Sequence, residues 1–329
     1  MRFPRRKFLH LAAGAAALPA VSWIARAQTY PSRPITMIVP FAPGRLTDVL
    51  GRVLAAGMQT LLVQSVVVEN VGGASGSIGT GRVARSAPEG YTVVLGIWNT
   101  HVANGVTYTL DYDVVKDFAP IVLCAEAPLV LAAKKTLPTP DLQGYIAWLK
   151  ANPDKASMGT VGVGSPPHLL GILMQKQTGA RFALVPYRGG GPLVQDVVAG
   201  QIDMTFINTA TALPFVRDGS IKALGLTSLK RIAAAPEIPT MDEAGLRGFS
   251  FSLWAALFAP HDTPRDIIDK LNTAAVNTLH DPNVRQKLEA QGFEIPPREQ
   301  QTPEALGTYQ RAEIEKWWPI IQAAGIKAE

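Results

Sequence analysis

The residues Pro40-Phe41-Ala42-Pro43-Gly44-Arg45-Leu46-Thr47-Asp48 follow the apolar run ITMIV and lead into the periodic stretch VLGRVLAAGMQTLL. A Pro/Gly turn between a buried strand and a helix leaves backbone N–H groups unpaired at the helix start, which favours an anion. Arg45 stands where a flexible turn would carry a second glycine. Its guanidinium could grip a second carboxylate in a planar, two-pronged contact. It could equally plug the pocket or face solvent. A second turn, VGVGSPPH, places Gly162 and Gly164 where glycine permits close backbone approach, and Ser165 at an N-cap before Pro166 and Pro167. The same reasoning applies to Gly189, Gly190 and Gly191. In IWNTHVAN, Trp98 is flanked by Asn99 and Thr100 and could wall a pocket, whereas Trp254 and the pair Trp317-Trp318 read as core packing.

Catalytic and cofactor signatures are mostly missing. Gly73-Ala74-Ser75-Gly76-Ser77 has Ser77 where a nucleophile elbow requires glycine. No Walker loop occurs, and no G-x-G-x-x-G follows a strand, so nucleotide binding has no support. The five histidines (His10, His101, His168, His261 and His280) form no close ligand pair. No catalytic residue, cofactor or metal is therefore expected. The competing reading is a hydrolase in which Ser75 or Ser165 works with His168 or His101, and it requires hydrogen-bond reach plus an oxyanion hole.

These turns need strands and helices to hold them. Apolar runs at ITMIVPF, QSVVVEN and YTVVLGI alternate with periodic segments, the succession of an α/β sheet with parallel strands. FAPIVLCAEAPLVLAA is unusually long and contains Pro128, and it reads as a strand leaving one lobe for another. The pattern then restarts through ASMGT, FALVPY and QIDMTFIN, and FSFSLWAALFAP reads as the return crossing. The remainder reads as helical, with Thr263 as an N-cap and Pro264 at the first helical position. Two lobes, 28–127 plus 251–329 and 128–250, form a clamshell with ligand between them, at the carboxyl ends of strands.

The net charge of +5 is local. Arg2, Arg5, Arg6, Lys7 and Arg26 lie in the first 27 residues, and removing these five of the 31 basic residues leaves 26 against 26 acidic ones. A neutral remainder gives no footprint for nucleic acid. That segment has a charged start, an apolar stretch of 15 residues and Ala25-Arg26-Ala27 before Gln28, the order of a cleaved export signal. Arg5-Arg6 resembles the twin-arginine route. A membrane-spanning helix needs about 20 apolar residues. Cys124 is the only cysteine, which leaves no internal disulfide.

Taken together, YPSRPITMIVPFAPGRLTD, VVVENVGGASGSIG, APEGYTVVLG, YDVVKDFAPI, GVGSPPHL and VPYRGGGPLVQDVVAGQIDMTF resemble the Bug-type substrate-binding proteins of tripartite tricarboxylate transporters. The likeness runs over nearly all of residues 30–325. It implies an α/β, two-lobed periplasmic binding protein (Venus flytrap, type II) without catalytic activity. Such a protein captures a small carboxylate as a monomer and hands it to membrane permease subunits; the same fold can also present ligand to a sensor kinase. Carried across, the resemblance assigns ligand contacts to Phe41, Pro43, Gly44 and Asp48, to Thr100 and His101, to Gly162, Gly164, Ser165 and His168, and to Asn208. Two positions depart from its pattern: Arg45 replaces a glycine, and Ile207 replaces an aspartate, which makes the expected cleft less negative.

Overall fold

The computed structural model describes residues 30–44 and 46–327. The expected signal segment 1–27 and the position of Arg45 lie outside the described residues. Residues from Arg33 onward form one compact unit.

ITMIV becomes strand β1 (Ile35–Val39), and its apolar side chains point to both faces because both faces are covered. Helix α1 (Leu46–Leu62), strand β2 (Val66–Asn70), helix α2 (Ser77–Ala84) and strand β3 (Thr92–Ile97) follow. β1 pairs in parallel with β2 on one side and β3 on the other. The glycine-rich segment VGGASGSIGTG, which reads as a loop in the sequence, is helical from Ser77 onward, where α2 begins. Likewise, the turn expected after β3 is helical: a π-helical turn (Asn99–Ala103) runs into helix α3 (Asn104–Thr107).

Strand β4 (Phe118–Lys134) is the spine of the molecule. Helix α4 (Leu142–Ala151), strand β5 (Ser157–Thr160), helix α5 (Pro166–Thr178), strand β6 (Ala183–Pro186) and helix α6 (Gly190–Val198) come next. They are followed by strand β7 (Met204–Asn208), helix α7 (Thr209–Arg217), strand β8 (Ile221–Leu226) and strand β9 (Ser252–Pro260). The sheet order is β2-β1-β3-β9-β4-β7-β5-β6, with β8 also on β4. Three parallel strands (β2-β1-β3) meet antiparallel β9, and three more (β6-β5-β7) meet antiparallel β4.

β4 exchanges partners midway. From Phe118 to Pro128 it pairs with β9, and from Leu129 onward it pairs with β7 and β8. The prolines mark weak points of the ladder: Pro120 sits at a register shift and Pro128 is the last β9 partner. Proline donates no N–H, so it is tolerated where pairing is interrupted. Thr227 clips this junction. Its hydroxyl accepts from Leu129 N–H (2.9 Å) and donates to Phe251 C=O (2.6 Å).

The C-terminal part consists of helix α8 (Arg265–Leu279), helix α9 (Pro282–Ala290) and helix α10 (Pro303–Ala323). α8 starts one residue later than expected: Pro264 is the cap, and the Thr263 hydroxyl donates to Pro260 C=O instead of capping. α10 is capped by Thr302, which accepts from Ala305 N–H, and Pro303 opens the helix. Its Gln310 amide donates to the carbonyls of His101 and Val114, and Trp317 is fully buried.

Candidate functional site

A cavity of about 270 Å³ opens where the two strand groups meet. Phe41, Leu46 and Thr47 line it from the first turn, and Ile97 and Asn99 from the end of β3. The crossing strands supply Ala127, Leu253, Trp254 and Ala255; Pro166 and Asn208 open α5 and α7; Phe293 completes the floor. No charged side chain is among these described lining residues. Among the described residues there is also no group of three or more His, Cys, Asp or Glu able to hold a metal.

The first turn is built from behind. Asp48 is buried, and its Oδ2 accepts from Gly44 N–H (2.8 Å) and Arg52 Nε (3.0 Å). Asn70, at the end of β2, donates to Asp48 Oδ1 (2.9 Å) and to Phe41 C=O (3.0 Å). Burial pushes the Asp48 carboxyl up, but the hydrogen bonds from Arg52, Gly44 and Asn70 outweigh it and hold the group below the usual carboxylate range. Asp48 is therefore committed to the turn. Pro43 and Gly44 are exposed on its outer side, whereas Phe41 reaches the cavity. Asp48 consumes the Gly44 donor, and Leu46 and Thr47, in the first turn of α1, where helix N–H groups lack intrahelical partners, line the cavity.

At the end of β3 the structure overturns three expectations. Trp98 is fully buried and packs edge-on against Phe251 (5.2 Å) and Trp317 (5.5 Å), so it is core and does not line this cavity. His101 is also fully buried, stacked on Phe258 at 4.0 Å, with its ring lying over Gly96. A Cβ at Gly96 would fall 2.2 Å from that ring, so only glycine leaves room for it. Burial lowers the His101 pKa to about 3, which keeps the imidazole neutral. Thr100 is buried as well; its hydroxyl accepts from Ile97 N–H (2.9 Å) and lies 2.9 Å from His101 Nδ1. Asn99, one residue earlier, is the one that lines the cavity. A helical path displaces side chains by about 100° per residue, so reading this segment as a turn put the wrong neighbours inward.

On the opposite wall, Pro166 and Asn208 are the described residues that reach the cavity. Ser165 occupies the N-cap position of α5, but its hydroxyl donates back to Gly162 C=O (2.7 Å) and makes no capping bond. His168 Nδ1 accepts from Gly164 N–H (3.2 Å), and burial lowers its pKa. Ser165 and His168 thus serve separate partners and do not bond to each other. Gly162 has φ +112 and open space where a Cβ would lie, so glycine here serves the backbone path and no close contact. Ile207 is buried among Val130, Leu226 and their neighbours, so the substituted position faces core and not cleft. Asn208 heads α7 without a side-chain capping bond and lines the cavity.

Sequence reasoning missed Asn70, Leu253 and Phe293. Asn70 was legible as the Asn of VVVEN at a strand end; the other two act through long-range packing. Backbone bonds Glu294 N–H to Glu126 C=O (2.7 Å) and Glu126 N–H to Glu294 C=O (2.9 Å) pin Phe293 against β4. Behind the floor lie buried acids. Burial raises the pKa of Glu126, opposed by the Tyr309 hydroxyl donating at 2.9 Å. Burial also raises that of Glu313, opposed by Lys316 and by the indole N–H groups of Trp98 and Trp254, neither of which reaches good hydrogen-bond geometry.

Two strand groups around a cavity with no charged side chain among its described lining residues, edged by helix starts, define a protein of the periplasmic binding protein fold. The family model for the tripartite tricarboxylate transporter family receptor, TctC, matches residues 50–326, and the chain belongs to that family. It is 37% identical over 303 residues to the protein BugT of Bordetella pertussis, covering 92% of each chain. MatC of Rhodopseudomonas palustris, solved with bound malate, is similar at 35% identity and TM-score 0.72, over 89% of this chain and 100% of MatC. The R. palustris protein Rpa4515, solved with adipate, is similar at 32% identity and TM-score 0.74, over 91% of this chain and 99% of that one. Among the described residues, no helix is long and apolar enough to cross a membrane.

Proposed function

We propose that this chain is a periplasmic receptor that captures a small carboxylate and delivers it to the membrane permease of a tripartite transporter. The observation that carries the reading is the cavity itself. It offers no described charged side chain, yet it is edged by the starts of α1 and α7, whose aligned peptide dipoles amount to roughly half a positive charge at each N-terminus. A carboxylate leaving water needs compensating donors. Leu46 and Thr47 N–H on one side and the Asn208 amide on the other supply them. The malate and adipate bound by MatC and Rpa4515 support the same class of ligand.

In this reading residues 1–27 are removed on export, and the mature monomer has lobes 28–127 plus 251–329 and 128–250. The partner exchange of β4 at Pro128 and the Thr227 clip support a hinge there. Domain closure of that kind is an established response to ligand. Closure would bring Gly162, Gly164, Ser165 and His168 toward the solute. Calorimetric titration with malate, adipate and benzoate, paired with small-angle scattering, tests both parts. Binding with contraction of the particle is expected. Binding without contraction would remove the hinge, and no binding of any carboxylate would remove the function.

A further inference from the structure

We infer that the solute is a carboxylate carried on an unsubstituted hydrocarbon body, an alkyl chain or an aromatic ring, and not a hydroxylated acid. The inference rests on the carboxylate reading above and narrows it. Nine of the twelve described lining residues are apolar, and the three polar ones, Thr47, Asn99 and Asn208, stand at element ends. The apolar part, called the floor here, includes Ile97, Leu253, Trp254 and Phe293. A ligand hydroxyl placed over that floor meets carbon.

The floor cannot rearrange cheaply to expose polar groups. Trp254 is fully buried and braced by Phe258 (6.4 Å) and Tyr309 (6.0 Å). Phe293 is held by the paired backbone bonds between Glu294 and Glu126. Each hydroxyl buried without a partner weakens binding by roughly five- to a hundredfold. An apolar body gains instead, because it displaces water from surface that cannot hydrogen-bond.

Matched pairs test this with the full-length mature chain: adipate against galactarate, its tetrahydroxy counterpart, and phenylacetate against mandelate, its α-hydroxy counterpart. Calorimetry is expected to give the unsubstituted member of each binding pair an affinity at least about tenfold higher. Leu253→Asn, which places an amide on the floor, should cut that ratio below about threefold. Equal or tighter binding of galactarate or mandelate overturns the inference and leaves a carboxylate receptor standing. A ratio that Leu253→Asn fails to move, in a variant of unchanged thermal midpoint, also overturns it, since the floor would not be what discriminates. Failure of all four acids to bind would remove the carboxylate reading along with it.

Discussion

The two turns that open α1 and α5 look alike as sequence: each follows a strand, carries Gly and Pro, and begins a helix beside the cavity. They differ in what they can donate. In the first, Leu46, Thr47 and Asp48 all keep their N–H groups, and the Asp48 carboxylate uses only that of Gly44. In the second, Pro166 and Pro167 have no N–H, the Ser165 hydroxyl is spent on Gly162, and Gly164 N–H is spent on His168. A helix start is an anion site only if its donors are free. By that criterion the proposed carboxylate belongs at α1, and α5 supplies a wall.

Removing Asp48 should break the comparison most severely. Asp48→Ala leaves Gly44 N–H, Asn70 and Arg52 without their acceptor. With hydrogen bonds to a charged group worth about 1.5–3 kcal/mol, a stability loss of ~3 kcal/mol and a large loss of carboxylate affinity are expected by denaturant melts and calorimetry. The sign with pH follows from the lowered pKa. The Asp48 contribution is present above the unfolded value near 3.8 and is lost as pH falls through the lower folded value. Arg45→Gly comes next. If the guanidinium grips a second carboxylate, affinity for adipate should fall about tenfold to a hundredfold, and Arg45→Lys should recover part of it. Tighter binding of larger solutes would mean that Arg45 is a plug, and unchanged affinity that it faces water.

Ser165→Ala sharpens the contrast from the other side. Its hydroxyl serves the loop, so affinity should change by less than about threefold, far below the loss of a charge-assisted contact. A hundredfold loss would show that α5 carries the anion after all. Glu313→Gln addresses the region behind the floor. Burial raises the Glu313 pKa, so the favourable neutral form is fully present below the unfolded value near 4.5 and is lost as pH rises through the folded value. The variant should match wild type at acid pH and melt slightly higher at neutral pH. A lower midpoint at pH 7 would show that the charged form is the stabilised one.

Much of this was legible in the residues. Alternating apolar runs gave the strands in order, and the long run through Pro128 marked the crossing, because a proline inside a 17-residue strand needs an interruption in the ladder. The first turn was legible as well. What failed was side-chain direction. IWNTHVAN reads as a turn, but its helical path turns Asn99 to the cavity and sends Trp98 and His101 into the core, where Phe251, Trp317 and Phe258 wait from distant segments. Likewise nothing local in VGVGSPPH tells that Ser165 bonds backward to Gly162. Phe293 and Leu253 reach the floor only because β4, β9 and the segment after α9 meet in space.

The most direct measurement is an amide-resolved NMR titration of the mature chain with adipate. The account expects the largest downfield N–H shifts at Leu46 and Thr47, with smaller ones at Asn208 and Thr209. Shifts concentrated at Gly162–His168, with the start of α1 silent, would contradict it.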